Sequence, residues 1–260
     1  MKILITGATG FLGKNLISRL EKSQTGDFMI YKTNSKTSRA EIESYTKDCD
    51  FVFNFAAIHR PKDEAEFSRV NYELFVFLLE CLQANRNACP VVYTSSIQAT
   101  NGSAYGLSKT AAEEALLEHV KKMNSVGLVY RLTNTFGRWA RPNAHSVVAT
   151  FCYNICRDIP IQISNKEHQM HFYYIDDVID SFIEKIYDKG RRGERVYCEL
   201  NEELIYPITL GGLADKLLYF RSCEKLGKNP CLLTVFEQKL YNTYQAYCEE
   251  NERNERTGNC

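Results

Sequence analysis

The 260 residues are 44% apolar and 25% charged, an ordinary globular balance with length for one large domain or two small ones. Lys+Arg and Asp+Glu number 32 each, so no net charge draws the chain toward nucleic acid or an anionic membrane. No apolar run approaches the ~18–20 residues of a bilayer span. A strand pattern already begins at Lys2, so no signal peptide is expected, and the expected location is cytoplasmic.

In chain order, Lys2–Thr6 reads as a strand, and a glycine-rich turn leads into a helix over Phe11–Leu20. Further strands are expected at Phe28–Lys32, Phe51–Phe55, Val91–Ser95 and Gly127–Arg131, with helices at Glu64–Asn85 and Ala104–Asn124 between them. Strands alternating with helices imply an α/β fold, a doubly wound parallel sheet with helices on both faces. The second half is less regular. Helices are expected at Val147–Arg157, Ile175–Tyr187, Leu210–Leu226 capped by Thr209, and Val235–Cys248. The polar stretch Glu249–Cys260 reads as a disordered tail.

The ten cysteines are irregularly spaced and include no C-x-x-C pair, which favours reduced thiols over a disulfide framework. Cys152, Cys156, His168 and His171 match no usual zinc spacing, and no metal is expected.

Gly7-Ala8-Thr9-Gly10-Phe11-Leu12-Gly13 spaces its glycines as G-x-x-G-x-x-G directly after the first strand. Such a turn lets backbone N–H groups and a helix N-terminus approach a pyrophosphate. Gly7, Thr9, Gly10, Phe11, Leu12 and Gly13 are therefore candidate dinucleotide contacts. A reader of NAD usually carries an acid after the second strand to hold the ribose hydroxyls. Here that position reads Tyr31-Lys32-Thr33-Asn34-Ser35-Lys36-Thr37. Asn34, Ser35 and Lys36 suit a 2′-phosphate, so NADP(H) is the expected cofactor, with Lys32 an ordinary solvated residue. The small Ala56 and Ala57 after the third strand let a cofactor lie against the backbone.

Tyr105 and Lys109 sit at i and i+4 on one helix face, nine residues after Ser96. A phenol with an ordinary pKa near ~10 is a poor acid–base group at neutral pH, and the Lys109 ammonium is expected to acidify it. Lys109 can also bond the nicotinamide ribose. Ser96 can donate to the same substrate oxygen as Tyr105, with Ser95 as its competitor. Hydride transfer to a carbonyl, with Tyr105 as proton donor, is the chemistry these residues imply.

These motifs resemble the extended short-chain dehydrogenase/reductase family, whose members mostly act on nucleotide-activated sugars. The likeness runs on through Val70-Asn71, Arg131-Leu132-Thr133-Asn134-Thr135-Phe136-Gly137 and Tyr173-Tyr174-Ile175-Asp176-Asp177-Val178. Ser95–Thr100, Phe136–Trp139, Pro142-Asn143, Ser146-Val147, Ala149–Tyr153 and Leu240–Tyr244 narrow it to the reductase domains of CapF-type capsular-polysaccharide enzymes. The resemblance implies a Rossmann-like domain over 1–248, with a nucleotide-binding lobe mainly at 1–135 and a smaller substrate lobe mainly at 136–248. It further implies NADPH-dependent reduction of the 4-keto group of a UDP-linked 2-acetamido-2,6-dideoxy-hexos-4-ulose, on the way to N-acetyl-L-fucosamine. Leu132 would then lie by the cofactor, and Ser96, Arg131, Asn134, Asn143, His145 and Ser146 by the nucleotide sugar. On physical grounds Arg131 could equally be an ion-pair partner and His145 a solvated loop residue. Asp176-Asp177 is expected to cap a helix, and Trp139 to wall the pocket or fill core.

CapF-type enzymes carry a cupin-like, metal-binding epimerase domain after this region, and the stretch read here ends at Cys260 without one. That half is expected to be absent, supplied by a separate cupin-type epimerase, or unnecessary for this substrate. Resemblance also suggests a homodimer in which helices 64–85 and 104–124 pair into a four-helix bundle. The alternatives are an NAD-dependent nucleotide-sugar 4-epimerase, disfavoured by the missing acid after the second strand, and a non-catalytic NADP-binding protein, which would have no need of Tyr105 and Lys109. A 4,6-dehydratase is disfavoured because Ile97-Gln98, not an acid–base pair, follow Ser96.

Overall fold

The computed structural model describes residues 1–257 apart from 24–26, 60, 62, 145 and 189, with backbone alone at 252 and 254–257. His145 therefore lies outside the described residues. The chain forms two compact units, 1–132 with 179–200, and 133–178 with 201–260. The first unit covers most of the stretch 1–135 and also takes back 179–200, which the sequence reading sets in the other lobe.

The first unit is built on six strands: β1 (Lys2–Thr6), β2 (Met29–Lys32), β3 (Phe51–Asn54), β4 (Val91–Ser96), β5 (Val126–Leu132) and β8 (Glu194–Tyr197). They lie in the order β2-β1-β3-β4-β5-β8, and every pair is parallel, as the alternating pattern predicts. Strands β3 and β4 are buried along their whole length, which is why Phe51–Asn54 and Val91–Ser96 read as unbroken runs rather than alternating ones.

Its helices are α1 (Phe11–Glu21), α2 (Arg39–Tyr45), α3 (Ala65–Phe67), α4 (Leu74–Ala84) and α5 (Ala104–Met123), joined by the later turns of α7 (Ile175–Tyr187). Phe75, Leu78, Leu79 and Leu82 of α4 and Ala112, Leu116 and Val120 of α5 form one core with Leu4, Val52, Val91 and Tyr93 from the strands. On the other face, Phe182 of α7 meets the rings of Phe53, Phe55 and Tyr130. Helices thus cover both sides of the sheet. The helix expected at Glu64–Asn85 is helical from 65 to 84, but widens into a π turn over Ser68–Glu73.

Strand order reverses between β1 and its neighbours β2 and β3, so the crevice beyond their carboxyl ends is the place where such sheets take a ligand. The glycine turn fills that place. Gly7 has φ +63°, and a Cβ there would lie 2.9 Å from the Ala56 amide nitrogen at the end of β3. A Cβ on Gly13 would lie 2.4 Å from the Gly7 carbonyl oxygen. Side chains at these two points would drive turn, helix and strand apart.

The second unit holds β6 (Asn134–Phe136), β7 (Gln169–Tyr174) and β9 (Tyr206–Thr209), with β7 parallel to β6 and antiparallel to β9. It also holds α6 (Val147–Ile155), α8 (Leu210–Lys225) and α9 (Val235–Thr257). Thr209 caps α8 as expected, its hydroxyl accepting from the Gly212 amide at 3.1 Å. The small sheet escaped prediction because its strands are short and its pairings non-local. Helix α9 runs through Thr257, so residues 249–257, which composition alone left as tail, continue the helix. Their Glu and Arg residues form helices well and allow pairs such as Glu249–Arg253, an i,i+4 contact at 3.8 Å. Residues 258–260 lie outside the described part.

Replacing Gly13 by Ala is expected to overpack this crossing by about 1–3 kcal/mol, lowering the melting temperature by several degrees. A differential scanning fluorimetry trace superimposing on the parent's would contradict the close approach.

Candidate active site

The first unit brings the glycine turn and the Ser–Tyr–Lys set to the carboxyl edge of one sheet. Helix α1 starts at Gly10 without a side-chain cap, and its first turn carries no acid, which leaves that N-terminus suited to an anion. Thr9 and Gly10 are exposed, Phe11 and Leu12 half-buried, and Gly13 buried. Beside them the Thr6 hydroxyl accepts from the Phe55 and Ala56 amides, both at 3.1 Å, and donates to Asn54 Oδ1 at 2.8 Å. One buried hydroxyl thereby fixes the backbone at Ala56 against the turn. The cradle that Gly7 and Gly13 keep open fits a dinucleotide pyrophosphate.

The loop after β2 is held by its own side chains. Asn34 Oδ1 accepts from the Lys36 amide at 2.8 Å, and Thr37 Oγ1 accepts from the Asn34 amide at 3.0 Å. Asn34, Ser35 and Lys36 are all exposed there. Lys32 is ion-paired with Glu21 at 2.7 Å on the surface, in keeping with its reading as an ordinary residue. Leu132 ends β5, half-buried.

Ser96 ends β4, where its hydroxyl accepts from the Gln98 amide at 3.1 Å and starts a 3-10 turn over Ile97–Thr100. Helix α5 follows at once, capped by Ser103, whose hydroxyl accepts from the Gly106 amide at 3.0 Å. Gly106 has no Cβ to strike the Gln98 carbonyl, which would lie 2.3 Å away. The helix therefore presses onto the end of β4. Tyr105 falls in its first turn and Lys109 one turn on.

Lys109 is buried, and its Nζ donates to the Thr94 carbonyl at 2.9 Å. The ammonium also faces the rings of Tyr93, at 5.0 Å, and Tyr105, at 5.7 Å. Burial pulls the Lys109 pKa down to about 8, with Glu113 opposing the fall. The Tyr105 phenol is pushed up to about 12 by burial, against a hydrogen bond with Ser96 that works to lower it. This differs from the acidified phenol expected from the Lys109 spacing. The ammonium lies over the ring plane while the hydroxyl loses water, and desolvation dominates.

Asn71, which the family likeness includes, and His59, which the motif reading did not single out, support helix α5. Asn71, buried in the π turn, accepts from the Ile58 amide at 2.8 Å and donates to the Ile58 carbonyl at 3.2 Å. Its Nδ2 also reaches Ser108 Oγ at 3.2 Å, and Ser108 donates to the Tyr105 carbonyl at 2.7 Å. The loop after β3 and the first turn of α5 are thereby tied together. The His59 ring on that loop lies tilted against Tyr105, centroids 5.2 Å apart, and Phe67 meets the same ring edge-on at 5.6 Å.

The expected substrate residues have varied surroundings. The Arg131 guanidinium is occupied, donating to both carboxylate oxygens of Glu113 at 3.0 and 2.7 Å. Asn134, Asn143 and Ser146 belong to the second unit. Asn134 is exposed at the start of β6, and Asn143 has φ +56° with its amide on Thr150 Oγ1 at 2.9 Å. Ser146 caps α6, accepting from the Ala149 amide at 3.2 Å. Asp176 and Asp177 lie in the first turn of α7, where Asp177 holds Lys239 with both oxygens at 2.7 Å. Trp139 is 41% exposed, so it does not fill core. Among the described residues no group of three His, Cys, Asp or Glu is placed to hold a metal ion.

Comparison with known proteins agrees with this geometry. The chain is 38% identical, over 96% of its length, to UDP-2-acetamido-2,6-beta-L-arabino-hexul-4-ose reductase of Pseudomonas aeruginosa, of which it covers 66%. It is 25% identical to dTDP-4-dehydro-6-deoxyglucose reductase of Escherichia coli, over 70% of this chain and 71% of that one. The capsular polysaccharide assembling protein CapF of Staphylococcus aureus superposes with a TM-score of 0.82 and 32% identity, covering 97% of this chain and 66% of CapF. The chain thus spans just under two thirds of the length of the Pseudomonas reductase and of CapF. The NAD dependent epimerase/dehydratase family model matches residues 3–197, and with a nucleotide turn, a Tyr–Lys helix and a parallel sheet in the matched region, the chain belongs to that family.

Proposed function

We propose that the chain uses NADPH to reduce the 4-keto group of a UDP-linked 2-acetamido-2,6-dideoxy-hexos-4-ulose, in capsular or surface polysaccharide precursor synthesis of the N-acetyl-L-fucosamine type. The observation that carries this reading is the convergence of Ser96, Tyr105 and Lys109 at one strand tip beside the glycine cradle. The sugar and its keto group are taken from the Pseudomonas relative, whose name specifies that substrate.

In this reading, backbone amides from Gly7 to Gly13 hold the pyrophosphate, and Asn34, Ser35 and Lys36 take the 2′-phosphate. NADPH, when bound, supplies the hydride for the carbonyl carbon. Ser96 and Tyr105 donate hydrogen bonds to the carbonyl oxygen, so the charge developing on it meets fixed donors. Tyr105 then gives up its proton to the nascent alkoxide. With a pKa near 12 the phenol is protonated at neutral pH, the state a reductase requires of its donor. The Lys109 ammonium lies under the same ring and stabilises the phenolate left behind.

The nine described cysteines are free thiols, which supports a reducing, cytoplasmic setting. No helix among the described residues is long and apolar enough to cross a membrane. The proposal includes a homodimer through the helical segments at 64–85 and 104–124, and a separate cupin-type epimerase as partner.

Mixing the protein with NADPH and the UDP-4-keto-6-deoxy-N-acetylhexosamine should consume the nicotinamide absorbance, and faster than NADH does. Tyr105→Phe should lose at least ~100-fold in rate while still binding NADPH. No oxidation, with or without an added cupin epimerase, would sink the assignment. Protein purified with tightly held NAD⁺ would point instead to an epimerase. Sedimentation velocity should give twice the chain mass, and a monomer would refute the dimer.

A further inference from the structure

Behind Lys109 lies a charged cluster that the reduction just described does not use. Glu113 is one helical turn further along α5, on the same face as Lys109, and is 1% exposed. Its carboxylate takes both donors of the Arg131 fork from β5 and the Tyr197 hydroxyl from β8 at 2.8 Å. Its own backbone carbonyl accepts from Arg195 at 2.8 Å. The Tyr197 ring is flanked by both guanidiniums, Arg131 at 4.7 Å and Arg195 at 5.0 Å. Three elements thus hold one carboxylate in place, and the ammonium of Lys109 is the other charge on that helix face.

We propose that Glu113 is a positioning residue for the reduction, acting through Lys109: a fixed, buried negative charge that holds the catalytic ammonium in its protonated, ring-facing state. The proposal rests on Lys109 serving the reaction as described above. A carboxylate tying α5 to β5 and β8 could have a purely mechanical use, but mechanics does not require it to lie one turn from the reacting cation. Burial works to raise the Glu113 pKa, yet the Arg131 guanidinium, with the Ser95 and Tyr197 hydroxyls, keeps it below the usual carboxylate range. Glu113 is therefore anionic wherever the enzyme works. For Lys109 the same charge opposes the loss of the proton that burial favours. The other titratable groups facing Lys109 are Tyr93 on β4 and Tyr105 on α5, both pushed upward by burial, so neither supplies a negative charge. Among the described residues, Glu113 is what remains to balance the ammonium. Arg131 acts in two ways, clamping the carboxylate and partly cancelling its field.

Charge and shape can be separated here by substitution. Glu113→Gln removes the charge and keeps the shape, so Lys109 should lose its proton earlier. The alkaline limb of the kcat/KM profile should then move down by about one pH unit. Arg131→Lys keeps a cation on the carboxylate, so Glu113 stays ionised, and the limb should stay with the parent's. Each variant is also read from the pH dependence of NADPH affinity, by fluorescence titration of the full chain without sugar. Absence of turnover with the proposed sugar would therefore fail the substrate assignment and leave this test standing. A Glu113→Gln limb that coincides with the parent's or moves up, or an Arg131→Lys limb that falls as far as that of Glu113→Gln, would overturn the proposal. If Glu113→Gln does not fold, the double variant Glu113→Gln with Arg131→Gln, which leaves no unpaired buried charge, decides, an unmoved or raised limb being the negative result.

Discussion

A protonated amine carried out of water governs this site. Lys109 is 2% exposed, and its pKa falls from 10.5 to about 8. Holding that charge inside costs the fold about 3 kcal/mol at neutral pH, a cost relieved only as pH rises past about 8. The surrounding structure limits the penalty. The Thr94 carbonyl is available because α5 begins directly after β4. The two tyrosine rings face the ammonium because Gly106 lets the helix crowd the strand end. A cap at Ser103 and a turn at Ser96 fix where the helix starts. Each of these contacts places a local group where the cation needs it.

Much of this was legible in the chain because the informative residues are short-range. The glycine turn announces itself by spacing, and Tyr105 and Lys109 by one turn of helix. The parallel sheet follows from apolar runs alternating with helical ones. What stayed hidden depends on distant residues. Glu113 reads as one more polar position on an amphipathic helix, and only Arg131 and Tyr197, 18 and 84 residues on, identify it as buried. Glu194–Tyr197 sets two charged residues before Val196 and Tyr197 and has no apolar run long enough to mark it as a strand. The π turn at Ser68–Glu73 looks like ordinary helix until Asn71 is seen holding Ile58.

The phenol gives a finer lesson. Spacing places a cation near Tyr105, and from spacing alone the acidity of the hydroxyl should rise. In the folded chain the ammonium lies against the ring while burial strips the hydroxyl of water, and the second effect wins. Proximity in sequence specifies neighbours, whereas the balance of charge and desolvation depends on depth.

The route of the chain through the first unit bears on its biogenesis. Gly7, Ser96, Tyr105, Lys109, Glu113 and Arg131 are all translated before the polypeptide leaves for the second unit at residue 133. Tyr197 and Arg195 arrive only on the return passage, as the last strand docks beside β5. A nascent chain released at the first crossing would carry every group proposed to react, yet its acidic anchor would lack the aromatic hydroxyl and the second guanidinium. Completion of the first unit thus waits on some seventy later codons.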